Sequence, residues 1–273
     1  CGLTGIKPTQ TRVSRYGVMG LSFSLDNVGP LARTARDCAR VLKVIAGADP
    51  KDASASKEPV EDYEACAQHA DLKGLKIAVP TNYYYDHVQG DVEDLLNDSL
   101  RVFESLGAHI VETHVPDHEN LSDLANVVMG SEAATLHGAW LRDCPGDYSE
   151  QVLARIQPGL SYLSTRYLQA LQIRPEITRR FVDQVLGDCD VFHAPVLPIP
   201  TPTIEETDIK ASQGFRDLLG LMTYCTRPIN FLGLPAISIP AGFTENGLPT
   251  SFQLVGRPFD EGQLFKFAAA FQD

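Results

Sequence analysis

Apolar positions along this chain recur with two rhythms, one near 3.6 residues and one of 2, and their alternation predicts the elements. Over 34–47, Ala35, Cys38, Ala39, Leu42, Ile45 and Ala46 share one helical face. Thr34, with Asp37 three residues on, approximates a capping box, and Gly47 suits the C-terminal stop. The polar stretch 48–72 reads as a surface excursion. A β-α-β pattern follows: a strand at 75–80 (LKIAVP), a helix capped by Asp91, and an alternating strand at 108–115 (AHIVETHV). Val92, Leu95, Leu96, Leu100, Phe103 and Leu106 form that helix's apolar face, and Gly107 closes it.

Residues 118–187 read mostly as helix, with breaks near Pro145-Gly146 and Pro158-Gly159. The run 190–196 (DVFHAPV) is a buried strand, and the following PIPTPT is a loop. Helix is predicted over 214–226. Strands at 236–240 and 251–255 are joined through Asn246-Gly247, a strong hairpin signal. A terminal amphipathic helix covers 260–271. The first 33 residues read as strands and turns, punctuated by Gly2, Gly5, Gly17, Gly20, Gly29, Pro8 and Pro30. Strands alternating with helices indicate an α/β layer structure around one sheet. With no repeat, low-complexity run or linker, residues 1–273 read as one domain or part of one.

Composition narrows the picture. At 273 residues and 44% hydrophobic content the chain can bury a sizeable core, and 21% charged residues exclude a disordered chain. The net charge of −12 argues against nucleic acid or an anionic membrane as partner. Six scattered cysteines without a C-x-x-C pair read as reduced thiols, so the expected setting is cytoplasmic. No apolar run reaches the roughly 18 residues of a membrane span, and no signal peptide is visible.

Several chemistries lack support. There is no H-E-x-x-H, and Pro116 separates His114 from His118, so no metal or other cofactor is expected. Neither a P-loop nor a dinucleotide fingerprint nor a G-x-S-x-G elbow occurs. What remains is serine and lysine chemistry, in which a desolvated, neutral lysine activates a hydroxyl. Lys7, Ser14, Ser22 and Ser24 are the candidates within the first segment. Lys7 with Ser24 would make a dyad; the plainer reading is a charged residue before Pro8 and a turn residue ahead of Asp26. Cys1 offers a separate possibility, an N-terminal nucleophile whose own α-amine serves as base.

The ordered motifs resemble the amidase signature family over nearly the whole chain. Gly2-Leu3-Thr4-Gly5-Ile6-Lys7-Pro8-Thr9 is similar to its G-x-x-G-x-K-P-T, and Arg12-Val13-Ser14 to its G-R-V-S, with Thr11 where the glycine usually stands. Ser24-Leu25-Asp26, Gly29-Pro30, Ala32-Arg33 and Asp37 match S-L-D-x-x-G-P-x-A-R-x-x-x-D, and Gly47-Ala48-Asp49 with Asp52 resembles G-x-D-x-x-D. Thr226–Asn230, Gly233-Leu234-Pro235-Ala236 and 253–259 (QLVGRPF) resemble the closing strands.

This resemblance implies an α/β fold whose mixed β-sheet is covered by helices on both faces, incomplete at the N-terminus. It implies hydrolysis of a carboxamide by a Ser–cis-Ser–Lys triad with a backbone oxyanion site. The family's nucleophile lies just upstream of the segment matching residues 1–5, and its lysine earlier still, so no catalytic residue is placed on this chain. Ser24, Asp26 and Arg33 are expected to buttress the catalytic loops, a role that competes evenly with plain turn and ion-pair structure. Glu132, His137, Tyr167, Thr223, Thr226 and Asn230 are candidates to line or support the substrate pocket; each taken singly is more readily structural. The family's tRNA-dependent amidotransferases carry an aspartate, three positions before the threonine, that contacts the substrate amine. Thr223 stands there, which disfavours glutamine-dependent transfer. The expected partners are a small-molecule amide, an upstream segment of the same protein and a second copy in a homodimer. An inactive remnant serving as a binding module is the alternative; one that begins within a sheet would expose strand edges and apolar surface.

Overall fold

The computed structural model describes residues 1–68, 71–116, 118–209 and 214–273. Seven strands form one sheet: β1 (Thr4–Lys7), β2 (Leu31–Ala32), β3 (Lys76–Pro80), β4 (His109–Thr113), β5 (Val191–Pro195), β6 (Ala236–Phe243) and β7 (Pro249–Val255). Their order is β2-β1-β6-β7-β5-β3-β4. The β3–β4 and β3–β5 pairs are parallel; the other four are antiparallel, so the sheet is mixed.

Nine α-helices flank the sheet among the described residues: α1 (Ala35–Ile45), α2 (Tyr63–Gln68), α3 (Asp91–Ser105), α4 (Leu121–Asp143), α5 (Glu150–Ile156), α6 (Ser164–Arg180), α7 (Phe215–Met222), α8 (Thr226–Leu232) and α9 (Glu261–Gln272). Strand side chains alternate between two apolar layers, as a period of 2 requires. Ile77 and Val191 face one layer, with Leu42, Phe103 and Phe265 of α1, α3 and α9. Ala78 and Phe192 face the other, with Val128, Ile177 and Ile229 of α4, α6 and α8. The expected mixed sheet with helices on both faces is what forms.

Local chemistry explains the elements. Thr34 caps α1 as expected: its hydroxyl oxygen accepts from the Asp37 amide at 3.1 Å and donates to the Asp37 carboxylate at 2.8 Å. Ile45, assigned to the buried face, is instead exposed, because α1 ends there and the chain turns away. Asp91 is not a cap. Gly90 holds that position with φ 51°, and the Asp91 carboxylate accepts from the Glu245 amide at 2.7 Å instead. The 48–72 segment is not purely surface: α2 sits within it, burying Tyr63 and Ala67 against the α9 layer, and Leu72 is buried too. Positions 69 and 70 of that segment lie outside the described residues.

The hairpin at Asn246-Gly247 joins strands longer than predicted, 236–243 and 249–255, with a bulge between Pro240 and Gly242. Thr11, where the resembling family has glycine, adopts φ 75°, a left-handed backbone that a β-branched residue enters only under strain. No helix among the described residues is long and apolar enough to cross a membrane.

Candidate functional site

Residues 20–26 form a tight loop that leads from the sheet to the helical layer of α4, α6 and α8. Its own acid holds it closed: Asp26 Oδ2 accepts from the amides of Leu21 at 2.8 Å and Ser22 at 3.0 Å. The Leu25 and Asp26 amides donate to the Ser22 carbonyl at 3.0 and 2.8 Å.

Four side chains then fix this loop to the helices. Glu132 of α4 is 1% exposed and takes four donors. The Ser22 hydroxyl donates to it at 2.6 Å, the Ser24 amide at 2.9 Å, the Ser24 hydroxyl at 2.7 Å, and the Tyr167 hydroxyl of α6 at 2.9 Å. His137, one turn further along α4, donates from Nε2 to the Gly20 carbonyl at 2.9 Å, and the Tyr148 hydroxyl donates to its Nδ1 at 2.8 Å. Arg174 of α6 donates to the Ser24 carbonyl at 3.1 Å, and Asn230 of α8 to the Leu25 carbonyl at 3.2 Å. A buried carboxylate is stable only when its lone pairs are filled, and Glu132 meets that condition with loop donors. Burial lowers the pKa of Arg174, with the Glu132 charge opposing that shift.

Under the loop lies a cavity of about 480 Å³. Lys7, Ser22, Leu25, Asp26 and Asn27 line one side, and Asn126 and Met129 of α4 another. Arg155 of α5, then Thr223, Thr226, Arg227, Asn230 and Phe231, complete the wall. Gln253 of β7 supports this end of α8, donating to the Cys225 carbonyl at 3.1 Å and the Pro195 carbonyl at 2.9 Å.

The predicted residues thus divide. Asp26, Thr223, Thr226 and Asn230 line the cavity. Ser24, Glu132, His137 and Tyr167 stand behind it as loop anchors. Arg33 stands apart, exposed just past the edge strand β2 and with no ion pair among the described residues. The Lys7–Ser24 dyad does not form. Ser24 donates to Glu132, whereas Lys7 Nζ donates to the Leu234 carbonyl at 2.5 Å. Lys7 is nevertheless no ordinary surface charge. Burial pulls its pKa down to about 7, against the raising effect of Glu261 and with Arg174 adding to the fall. Cys1 is exposed and is not part of the cavity wall.

Sequence reasoning passed over Arg155, Arg174 and Arg227. Arg174 shares the i, i+3, i+4 stripe of Tyr167, Ala170, Leu171 and Ile177, a face that is otherwise apolar or hydrogen-bonded inward. Arg227 is the only charge in the 223–239 run, and that isolation was a signal. Among the described residues no three His, Cys, Asp or Glu side chains converge as metal ligands.

The family model described as Amidase matches residues 1–265. The A-type component of the glutamyl-tRNA(Gln) amidotransferase of Roseiflexus castenholzii (strain DSM 13941 / HLO8) is 37% identical over 296 residues, covering 100% of this chain and 59% of that protein. An inhibitor-bound vestigial protein complex, whose structure reveals the evolutionary origins of an s-triazine catabolic enzyme, contains a similar chain. It aligns with a TM-score of 0.85 at 26% identity, over 100% of this chain and 59% of its own. The A-type component of the Thermotoga maritima glutamyl-tRNA(Gln) amidotransferase gives 0.79 at 29% identity, over 98% and 57%. The chain therefore spans about three-fifths of the length of these relatives.

Proposed function

The chain belongs to the amidase family, and from that premise we propose that its protein breaks carboxamide C–N bonds by serine acyl transfer at the cavity under the 20–26 loop. Residues 1–273 are then the C-terminal portion of one amidase domain. They supply the pocket wall, and the two serines and the lysine of the triad lie outside these positions. A linear small-molecule amide is the substrate, and the reaction is cytoplasmic.

One observation carries this reading: the loop bearing the S-L-D motif and the helix bearing Thr226 and Asn230, some 200 residues apart in sequence, close around a single cavity. The serines on hand do not supply a Ser–Lys pair, because Ser22 and Ser24 both give their hydroxyl protons to Glu132 and no lysine joins them. Hydrolysis is favoured over amide transfer from glutamine because Thr223, not an acid, lines the cavity at that position, and the one acid on the wall among the described residues, Asp26, already accepts two loop amides.

The test is covalent trapping in the full-length protein with a fluorophosphonate, mapped by mass spectrometry, beside hydrolysis of a panel of aliphatic and aryl amides and glutamine. Turnover with a labelled serine outside residues 1–273 is expected. Labelling at Ser22, Ser24 or Cys1 would refute the placement of the nucleophile. Absence of turnover across the panel would favour the inactive remnant.

A further inference from the structure

The charge lining the cavity is one-sided. Lys7, Arg155 and Arg227 face it, and Asp26 is the one acid on its wall among the described residues. Asp26 turns its Oδ2 to the two loop amides, and it forms no ion pair with any of the three cations among the described residues. Lys7 donates to two backbone carbonyls, Leu234 and Pro8. Arg227 is different. It donates to the Thr223 hydroxyl, a neutral acceptor, and no carboxylate lies within ion-pair distance of it among the described residues. On its other side it borders a second cavity of about 720 Å³ whose acid, Asp86, is also not paired with it.

Arg227 is half-buried. A guanidinium removed from water without an anion is costly, and the cost here is compounded. Burial and the nearby positive charge of Arg155 both depress its pKa, with Tyr83 and then Asp123, both outside the wall of this cavity, only partly opposing them. A planar guanidinium does not give up its proton at ordinary pH, so relief comes from an anion entering the cavity. Thr223 lines the same cavity and gives the guanidinium a neutral hydroxyl to bond, which fixes its direction without meeting its charge.

We propose that Arg227, set by Thr223 and facing the same cavity as Arg155, is a specificity residue that selects amides carrying a carboxylate and no free ammonium, such as monoamides of short dicarboxylic acids. The inference rests on the amidase reading for its chemistry, but the anion subsite itself is a binding property and is measured as one.

Isothermal titration of the full-length protein with three near-isosteric amides tests it: succinamate (anionic), succinamide (neutral) and β-alaninamide (cationic). Succinamate should bind about tenfold or more tighter than succinamide, with β-alaninamide weakest. Arg227→Gln should erase the preference for succinamate over succinamide, and Arg227→Lys should keep part of it. Thr223→Asp should move the preference toward β-alaninamide. Equal binding of succinamate and succinamide by the unaltered protein would overturn the proposal, with no variant required. So would a preference that survives Arg227→Gln in a protein whose circular dichroism and Tm are unchanged. Turnover distinguishes the two levels. Hydrolysis of neutral amides without anion preference leaves the amidase reading standing and removes this one. An Arg227-dependent succinamate site without turnover of any amide does the reverse.

Discussion

Glu132 shows how one buried side chain sets the shape of a site without touching a ligand. Its two oxygens serve four donors from the loop and α6. In Glu132→Gln, one acceptor oxygen becomes an NH2 group. Serine and tyrosine hydroxyls can rotate to accept from it, but the Ser24 amide cannot. A charge-assisted bond is lost and a buried donor is left poorly paired, a cost of about 2 kcal/mol. Urea unfolding should show that loss, and amide hydrogen exchange over 21–26 should quicken; an unchanged midpoint with unchanged exchange would mean that the carboxylate is not the loop's anchor. Glu132 was legible only as one of several pocket candidates that the family resemblance implied. Its partners were not legible, since they lie 108 and 110 residues before it and 35 after it. Lys7 was misleading for a related reason. A lysine before proline looks like surface, but β1 lies between β2 and β6, and its Nζ is carried inward to a carbonyl of the 234 turn.

At the level of elements, periodicity found those that bury one face and blurred those that meet end to end. The predicted helix over 214–226 is two: α7 ends at Met222 and α8 begins at Thr226. Pro228 falls in the first turn of α8, where its missing N–H has no intrahelical partner to lose. That break matters, because it turns Thr223, Thr226, Arg227 and Asn230 toward one cavity. The seating of α5 depends on a close approach that no periodicity reveals. A Cβ built on Gly159 would stand 1.9 Å from the Gly130 carbonyl oxygen of α4. Gly159→Ala must therefore push apart α4 and the segment that follows α5, which carries Arg155 to the cavity mouth. A loss of about 3 kcal/mol in stability is expected, at the upper end for overpacking. Weakened ligand binding at the cavity should accompany it in whatever fraction remains folded. Thermal melts and titration check both, and a Tm within a degree of the parent would show that α4 and this segment can separate freely.

Across the whole molecule, the two apolar layers meet at β5, and there sits a histidine. His193 is fully buried, stacked on Phe252 with ring centroids 4.8 Å apart. The Tyr85 and Ser99 hydroxyls lie 2.9 Å from its Nδ1 and Nε2. Burial pulls its pKa down from 6.5 to about 3. The unfolded chain thus binds a proton between pH 6.5 and 3 that the folded chain refuses. The contribution of this group to stability is constant above pH 6.5 and falls as the pH drops through that window, by about 2 kcal/mol at pH 5. Urea midpoints at pH 7.5 and 5.0 for the parent and for His193→Gln should show a smaller acid loss in the variant, and parallel losses would remove His193 from the account. The β-α-β half of the sheet was open to inspection because β3, α3 and β4 are consecutive. The other half was not, because β1 finds its neighbour β6 more than 220 residues later.

That long-range pairing has a consequence in time. During synthesis, β3, α3 and β4 can associate as soon as they emerge, whereas β1 must wait. The strands that join it to the rest of the sheet, β6 and β7, span 236–255 and are made more than 220 residues after it. Until then the 20–26 loop has Glu132 to hold but no sheet beneath it, and the cavity lacks the α8 wall. Such late closure of non-local contacts slows folding and leaves a strand edge open to other chains in the interval. A premature stop anywhere before residue 236 would therefore cost far more than the residues it deletes. Even with the S-L-D segment held by Glu132 and Arg174, it would leave β1 deprived of β6, its partner in the sheet.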